Sequence, residues 1–203
     1  MKLYNSMGPN PHVVRMFLAE KGMTVDVEEV DLMGGANRQA EYLARNPAGG
    51  LPALELDNGT VLAEITAICE YLEDLQPAPA LIGSTPEERA ETRMWTRRID
   101  LGICENLANG FRFSEGLPLF KDRMHCLPEA ADGLKAIVRG KLAWLDELIG
   151  EREFICGDRF TLADIMLFCF LEFGAAVGQP LPEGCTRIAA WQARVGARPS
   201  ASA

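Results

Sequence analysis

The stretch "NPAGGLPALELDNGTVLAEITAICEYL", residues 46–72, decides how the first third of the chain folds. "LPALEL" and "TVLA" flank Asn58-Gly59, a two-residue hairpin signal between apolar runs. Pro52 cannot donate to a ladder at its own position, so Leu51-Pro52 belongs at the start of a strand. A cis bond before Pro52 would turn the Leu51 backbone outward as an edge able to pair with a peptide. From Ile65 to Leu75 the apolar spacing changes to that of a helix, with Ile65, Ala67, Ile68, Tyr71 and Leu72. Glu64 precedes this helix, either as a charge favourably placed at a helix N-terminus or as an anchor for a ligand ammonium group.

Upstream, "KLYN" (2–5) reads as a short strand. A helix pattern follows from Pro11, with Val13, Val14, Phe17 and Leu18 on one face and Gly22 as its stop. "VDVEEVDL" (25–32) alternates as a strand does, and "NRQAEYLARN" (37–46) reads as a short helix ending before Pro47. The order is therefore β-α-β-α-β-β-α over residues 1–76. Residues 77–84, within "QPAPALIGS", are rich in proline and read as a linker.

Residues 85–203 read as helix throughout. "TPEERAETRMWTRRIDLGICENLA" opens with Thr85 as N-cap, Pro86 at the first helical position and Glu88 closing a capping box. "DGLKAIVRGKLAWLDELIG" places Leu134, Ile137, Val138, Leu142, Leu145 and Leu148 on one stripe. "TLADIMLFCFLEFGAAVG" is apolar almost all round, as a central bundle helix would be. In "GDRFTLADI" (157–165), Thr161 caps that helix, Asp164 returns the bond, and Phe160 with Ile165 fits a hydrophobic staple. The fold class is α+β in two domains, a small α/β unit followed by an all-helical one.

Composition narrows the function. Of 203 residues, 48% are hydrophobic and 24% charged, enough to bury a core and unlike a disordered chain. The net charge is -9 and Lys and Arg form no run, which argues against nucleic acid or an anionic membrane as partner. No apolar run of secretory or membrane-spanning type is present. The six cysteines (Cys69, Cys104, Cys126, Cys156, Cys169 and Cys185) show no CxxC or CxxH spacing, so neither a disulfide framework nor a metal site is expected. The expected location is cytoplasmic.

With these features in place, the chain resembles the cytosolic glutathione transferases, in particular bacterial-type members. "LYNSMGPNPHVVRMFLAEKG", "NPAGGLPALELDNGTVLAEITAICEYL", "GDRFTLADI" and "IAAWQARVGARPS" match that family in order and spacing. The resemblance implies a thioredoxin-like N-terminal domain that holds glutathione as cosubstrate. It also implies a helical domain forming most of the pocket for a small hydrophobic second substrate, and a homodimer. It places the family's cis-proline on Pro52, with the Leu51 backbone pairing with the cysteinyl part of glutathione. The Glu-Ser pair that grips the γ-glutamyl end falls on Glu64 and Ile65, where the hydroxyl is missing, although Thr66 follows. Asn37, Arg38 and Gln39 are the candidates for the glycyl carboxylate.

For the residue that stabilises the thiolate, the family's serine position falls on Gly8, which has no side chain. Asn10, from a Pro-Asn pair of a kind found in some bacterial members, is preferred, and Ser6 is the alternative. Tyr4 is expected to pack within the first strand. Asn10 can equally serve as a plain N-cap with Pro11 at the first helical position. His12 reads as a polar surface residue. The first cysteine is Cys69, so the cysteine-type chemistry of some members is excluded. Trp95, Arg98, Ile99, Asn106, Phe111 and Phe113 are candidates for the second-substrate pocket. The competing function is a non-catalytic binding or regulatory module on the same fold, favoured by Gly8 and Ile65.

Overall fold

In the computed structural model, which describes Met1–Ala203, strand β1 (Lys2–Asn5) runs into helix α1 (Pro9–Lys21) and returns as β2 (Asp26–Glu29), parallel to β1. A 3-10 turn (Ala36–Arg38) and a short helix α2 (Ala40–Leu43) lead to β3 (Ala53–Glu55) and β4 (Val61–Ala63), followed by α3 (Ile65–Leu75). The sheet order is β2-β1-β3-β4, with β3 antiparallel to both neighbours. This is a thioredoxin-like unit. Period-two alternation sends Leu3 and its partner Leu54, both fully buried, to one face of the sheet. Tyr4 and its partner Ala53 go to the other face and pack with Tyr42 of α2.

The β3–β4 connection differs from the expected two-residue turn. Leu56 N donates to Thr60 O (2.8 Å) and Gly59 N to Leu56 O (2.9 Å), which leaves Asp57, Asn58 and Gly59 as a three-residue loop. Gly59 has φ 82, the left-handed position that closes this type of hairpin, and Asn58 Oδ1 accepts from Thr60 N (2.9 Å).

The start of α1 also differs. The helix begins at Pro9, with Gly8 as N-cap and Asn10 inside the first turn, so Asn10 is not the cap. A residue before proline is biased away from the helical region, which favoured a start at Pro11. Gly8, with φ 111, turns the chain one residue pair earlier and lets Pro9 take the first helical position. At its other end α1 closes in a Schellman arrangement, with Gly22 N donating to Ala19 O and Met23 N to Leu18 O.

The chain separates into two compact units, Met1–Leu81 with Pro199–Ala203 and Ile82–Arg198. The closing residues thus belong to the first unit, although the sequence pattern ran the helical half to residue 203. His12 Nε2 pairs with Ala201 O (3.0 Å), Arg15 Nε donates to Ala203 O (3.1 Å), and the Ser200 hydroxyl bonds to Glu20. Within the same unit, buried Lys21 forms an ion pair with buried Glu73 and donates to Gln76 O (2.8 Å) and Pro79 O. Glu73 also accepts from Leu81 N (3.2 Å).

The second unit is all helix: α4 (Pro86–Ile99), α5 (Glu105–Arg112), α6 (Leu117–Phe120), α7 (Ala131–Ile149), α8 (Leu162–Ala176) and α9 (Thr186–Gly196). The Thr85–Glu88 capping box opens α4 as the sequence predicts. The long helix expected over 85–108 is interrupted by a π turn at Asp100–Cys104, where the Asn106 amide donates to Leu101 O (2.8 Å) and Gly102 O (3.2 Å). Helix α8 is the core helix, buried from Leu162 to Leu171. Its Asp164 accepts from Thr161 N (2.9 Å), Thr161 Oγ1 (3.1 Å), Ile155 N (2.9 Å) and Trp191 Nε1 (2.8 Å). On α7, Val138, Leu142 and Leu145 are buried, whereas Ile137 and Leu148 are exposed together with Trp144. No helix is long and apolar enough to cross a membrane.

Candidate active site

The strand register explains why distant segments meet. Tyr4 stands opposite Ala53, and Ala53 opposite Ala63, so the end of β1, the start of β3 and the end of β4 lie at the same edge of the sheet. Because β2 is parallel to β1, with Asn5 opposite Glu29, its C-terminal end is there too. Ser6–Asn10, Leu51-Pro52 and Glu64-Ile65 therefore leave the sheet at one end, as does the segment leading to Gln39. Helices α1 and α3 both begin there, and each presents the positive end of its dipole.

At the start of α1 the sequence "GPNP" thins the usual set of free amides. The first four positions of a helix normally carry unbonded N–H groups, but Pro9 and Pro11 have none. The next amide, His12 N, is taken by Gly8 O (3.3 Å). Gly8 N and Asn10 N are the donors that remain. The Asn10 side chain makes no capping bond and is half-buried. Ser6 is buried, and its carbonyl accepts from Arg15 Nη1 (3.3 Å). Tyr4 is committed elsewhere: its hydroxyl donates to Glu55 (2.5 Å), and burial followed by this bond pushes its pKa up to about 12.

The Leu51-Pro52 bond is cis. The loop before it is held by side chains from the preceding segment. Asn37 Nδ2 donates to Gly49 O (2.7 Å), while Tyr42 Oη (2.7 Å) and Asn46 Nδ2 (2.9 Å) both donate to Gly50 O. These bonds fix the direction in which the Leu51 backbone emerges. Asn37 is buried in this scaffold, and Arg38 reaches Ala48 O (3.3 Å). Gln39 is exposed and its side chain makes no capping bond to α2.

Glu64 is the sole non-glycine residue with positive φ, at φ 69 and ψ 122. That ψ lies outside the small left-handed well open to ordinary side chains, so the conformation costs on the order of 1–3 kcal/mol. Its carbonyl still accepts from Ile68 N (3.0 Å), while its side chain stands exposed at the α3 start. Ile65 and Thr66 form the first turn of α3 and are half-buried. All six cysteines are free thiols, and Cys69 is buried within α3.

In the helical unit, Trp95, Ile99 and Phe113 are buried, and Arg98 lies over the Trp95 ring (5.0 Å). Phe111 stacks edge-on against Phe120 (6.2 Å) and Phe173 (5.2 Å). Sequence reasoning missed Tyr42 and Asn46, because nothing in their spacing distinguishes loop-bracing side chains from ordinary helix residues.

The cis Leu51-Pro52 bond, the Glu64 carboxylate on its strained backbone and two helix N-termini thus stand at one end of the sheet. Residues 7–75 match the glutathione S-transferase N-terminal domain family and residues 128–194 its C-terminal domain family. Glutathione S-transferase 2 of Saccharomyces cerevisiae is 35% identical over 200 residues, which cover 95% of this chain and 84% of that protein. Glutathione S-transferase GstA of Escherichia coli O157:H7 is 35% identical over 205 residues, 98% of this chain and 94% of that one. A glutathione S-transferase domain-containing protein of Marinobacter aquaeolei superposes with TM-score 0.93 and 39% identity, covering 98% of this chain and 99% of that chain.

The chain belongs to the glutathione S-transferase family. It is a glutathione transferase with glutathione as cosubstrate, and the reading of the fold as a non-catalytic module is not favoured.

Proposed function

We propose that the end of the sheet where β1, β3 and β4 converge holds glutathione and presents its thiolate to a small hydrophobic electrophile. The observation that carries this is the register, which gathers Ser6–Asn10, Leu51-Pro52 and Glu64-Ile65 at one edge. The Leu51 N–H and C=O pair with the cysteinyl residue as an added antiparallel strand. The Glu64 carboxylate takes the γ-glutamyl ammonium, and the free amides of Ile65 and Thr66 take its carboxylate. Gln39, exposed beside the loop, meets the glycyl carboxylate.

A free thiol with pKa near 8.5 is mostly protonated at neutral pH, so the enzyme must favour the thiolate. Asn10 supplies its backbone amide and its side chain, Gly8 its amide, and Ser6 is the alternative hydroxyl. With no proton acceptor in this set, the stabilisation is electrostatic and the thiol proton leaves to solvent. The thiolate sulfur then forms a bond to the electrophilic carbon as the leaving group departs with its electron pair.

The exposed apolar side chains of α7 (Ile137, Trp144 and Leu148), with Met94 of α4 and Leu101 of the π turn, support a homodimer formed through the helical unit. A cytoplasmic role in detoxifying electrophiles fits this chemistry. The test is a glutathione titration followed by thiolate ultraviolet absorbance on wild type, Asn10→Ala and Ser6→Ala. Wild type is expected to lower the thiol pKa, Asn10→Ala to give back most of that shift, and Ser6→Ala little of it. Wild-type protein that leaves the thiol pKa unchanged at millimolar glutathione would overturn the proposal.

A further inference from the structure

The closing residues Pro199–Ala203 lie along α1, and their contacts do not end there. Arg15, in the middle of α1, receives the tail through Nε, which donates to Ala203 O (3.1 Å). Its Nη1 reaches the other way, to Asn5 Oδ1 (2.8 Å) and Ser6 O (3.3 Å). Asn5 in turn donates to Glu29 of β2 (2.5 Å), so both ends of the Asn5 amide are occupied. One guanidinium thus joins the tail to the last residue of β1 and the first residue of the turn. His12 and Glu20 give the tail two further attachments, at Ala201 O and the Ser200 hydroxyl.

The consequence follows from peptide planarity. The Ser6–Met7 bond is trans, so its C=O and N–H point in opposite directions. A Ser6 carbonyl pinned to Arg15 therefore aims the Met7 N–H away from that guanidinium and fixes where the chain enters Gly8. Gly8 has no side chain to hold its own orientation, and its φ of 111 lies in a region glycine leaves easily. The turn needs an external brace, and Arg15 is a rigid planar donor suited to that task. Its charge also favours an anion nearby.

We propose that Arg15, itself held by the closing residues Pro199–Ala203, is a positioning residue for the thiolate end of the site. The proposal rests on the glutathione reading above. Arg15 acts through the Ser6 carbonyl and the Asn5 side chain, not by touching the sulfur. The tail acts through Arg15.

The test uses Arg15→Met, Arg15→Lys, a chain ending at Arg198, and that truncation combined with Arg15→Met. Each is assayed for the pKa of the bound glutathione thiol and for kcat and KM with a chloronitrobenzene electrophile. Arg15→Met is expected to raise the bound-thiol pKa by about half a unit to one unit. It should lower kcat by about three- to tenfold, with KM for glutathione changed far less. Arg15→Lys should recover part of the loss. Truncation should move the same quantities in the same direction, and add little once Arg15 is gone. A merely structural role would lower the melting temperature without moving the thiol pKa.

Folded Arg15→Met with wild-type thiol pKa and kcat would overturn the proposal, as would a truncation whose effect is the same with and without Arg15. Should Arg15→Met fail to fold, Arg15→Lys and the truncation decide alone, since both keep the α1 charge. Wild-type protein that does not bind glutathione overturns the underlying reading, a result distinct from wild-type binding with unaffected variants.

Discussion

Replacing Glu64 with glycine should separate stability from function at one position. The residue sits at φ 69 and ψ 122, a conformation an L side chain adopts only under strain. Glycine removes that steric cost of about 1–3 kcal/mol. Against this, glycine has a more flexible unfolded chain, which costs about 0.5–1 kcal/mol. The net for Glu64→Gly is therefore between no change and a gain of about 2.5 kcal/mol. Glu64→Ala keeps the strain and should stay within about 0.5 kcal/mol of wild type.

Both variants lose the carboxylate proposed to take the γ-glutamyl ammonium. A charge-assisted hydrogen bond contributes about 1.5–3 kcal/mol, which is roughly 10- to 150-fold in glutathione affinity. Denaturant unfolding gives the first quantity and calorimetric titration the second. The expected pattern is a Glu64→Gly protein at least as stable as wild type that binds glutathione tens of times more weakly. A glycine variant that is destabilised by more than about 1 kcal/mol, or that binds as wild type does, would refute the reasoning.

Lys21→Met should destabilise the first unit by about 3–5 kcal/mol, since it leaves Glu73 buried without its partner. The double variant with Glu73→Gln should cost less than the sum of the two single changes, as measured by denaturant unfolding. Tyr4→Phe should leave the bound-thiol pKa unchanged, because the Tyr4 hydroxyl donates to Glu55; a raised thiol pKa would instead give Tyr4 a part in holding the thiolate. Burial pushes the Asp164 carboxyl up from 3.8 to about 6 despite its hydrogen bonds. A raised folded-state value means that this group's stabilising contribution is complete below pH 3.8 and lost as pH rises through about 6. Asp164→Asn, which also deprives Thr161 N of an acceptor, should thus show a larger deficit against wild type at pH 4 than at pH 7 in unfolding experiments.

The order of elements and the two-part plan were legible because apolar period, proline position and capping residues agreed in each segment. Thr85–Glu88 and Thr161–Asp164 read directly as capping boxes, since those pairs act within four residues. The start of α1 did not, because "GPNP" offers two prolines that can each take the first helical position. The positive φ of Gly8 decided between them. On α7 the periodicity ran Ile137 and Leu148 together with the core stripe, since spacing alone cannot tell a buried stripe from an exposed neighbour. Glu64 stood out in the sequence only as a charge before a helix. Its backbone conformation, visible only in three dimensions, marks it as a place where local preference was overridden. The bracing residues Asn37, Tyr42 and Asn46 act on carbonyls four to twelve positions away, and no local pattern records such bonds. Arg15 was silent for the same reason, with partners in β1, the turn and the tail.

The most direct measurement is a structure of the protein with glutathione bound. The expected structure has the cysteinyl backbone antiparallel to Leu51, the γ-glutamyl ammonium on Glu64, and the sulfur facing residues 6–10, within hydrogen-bond reach of the Asn10 amide or side chain. A tripeptide bound elsewhere, or a sulfur turned away from residues 6–10, would contradict it.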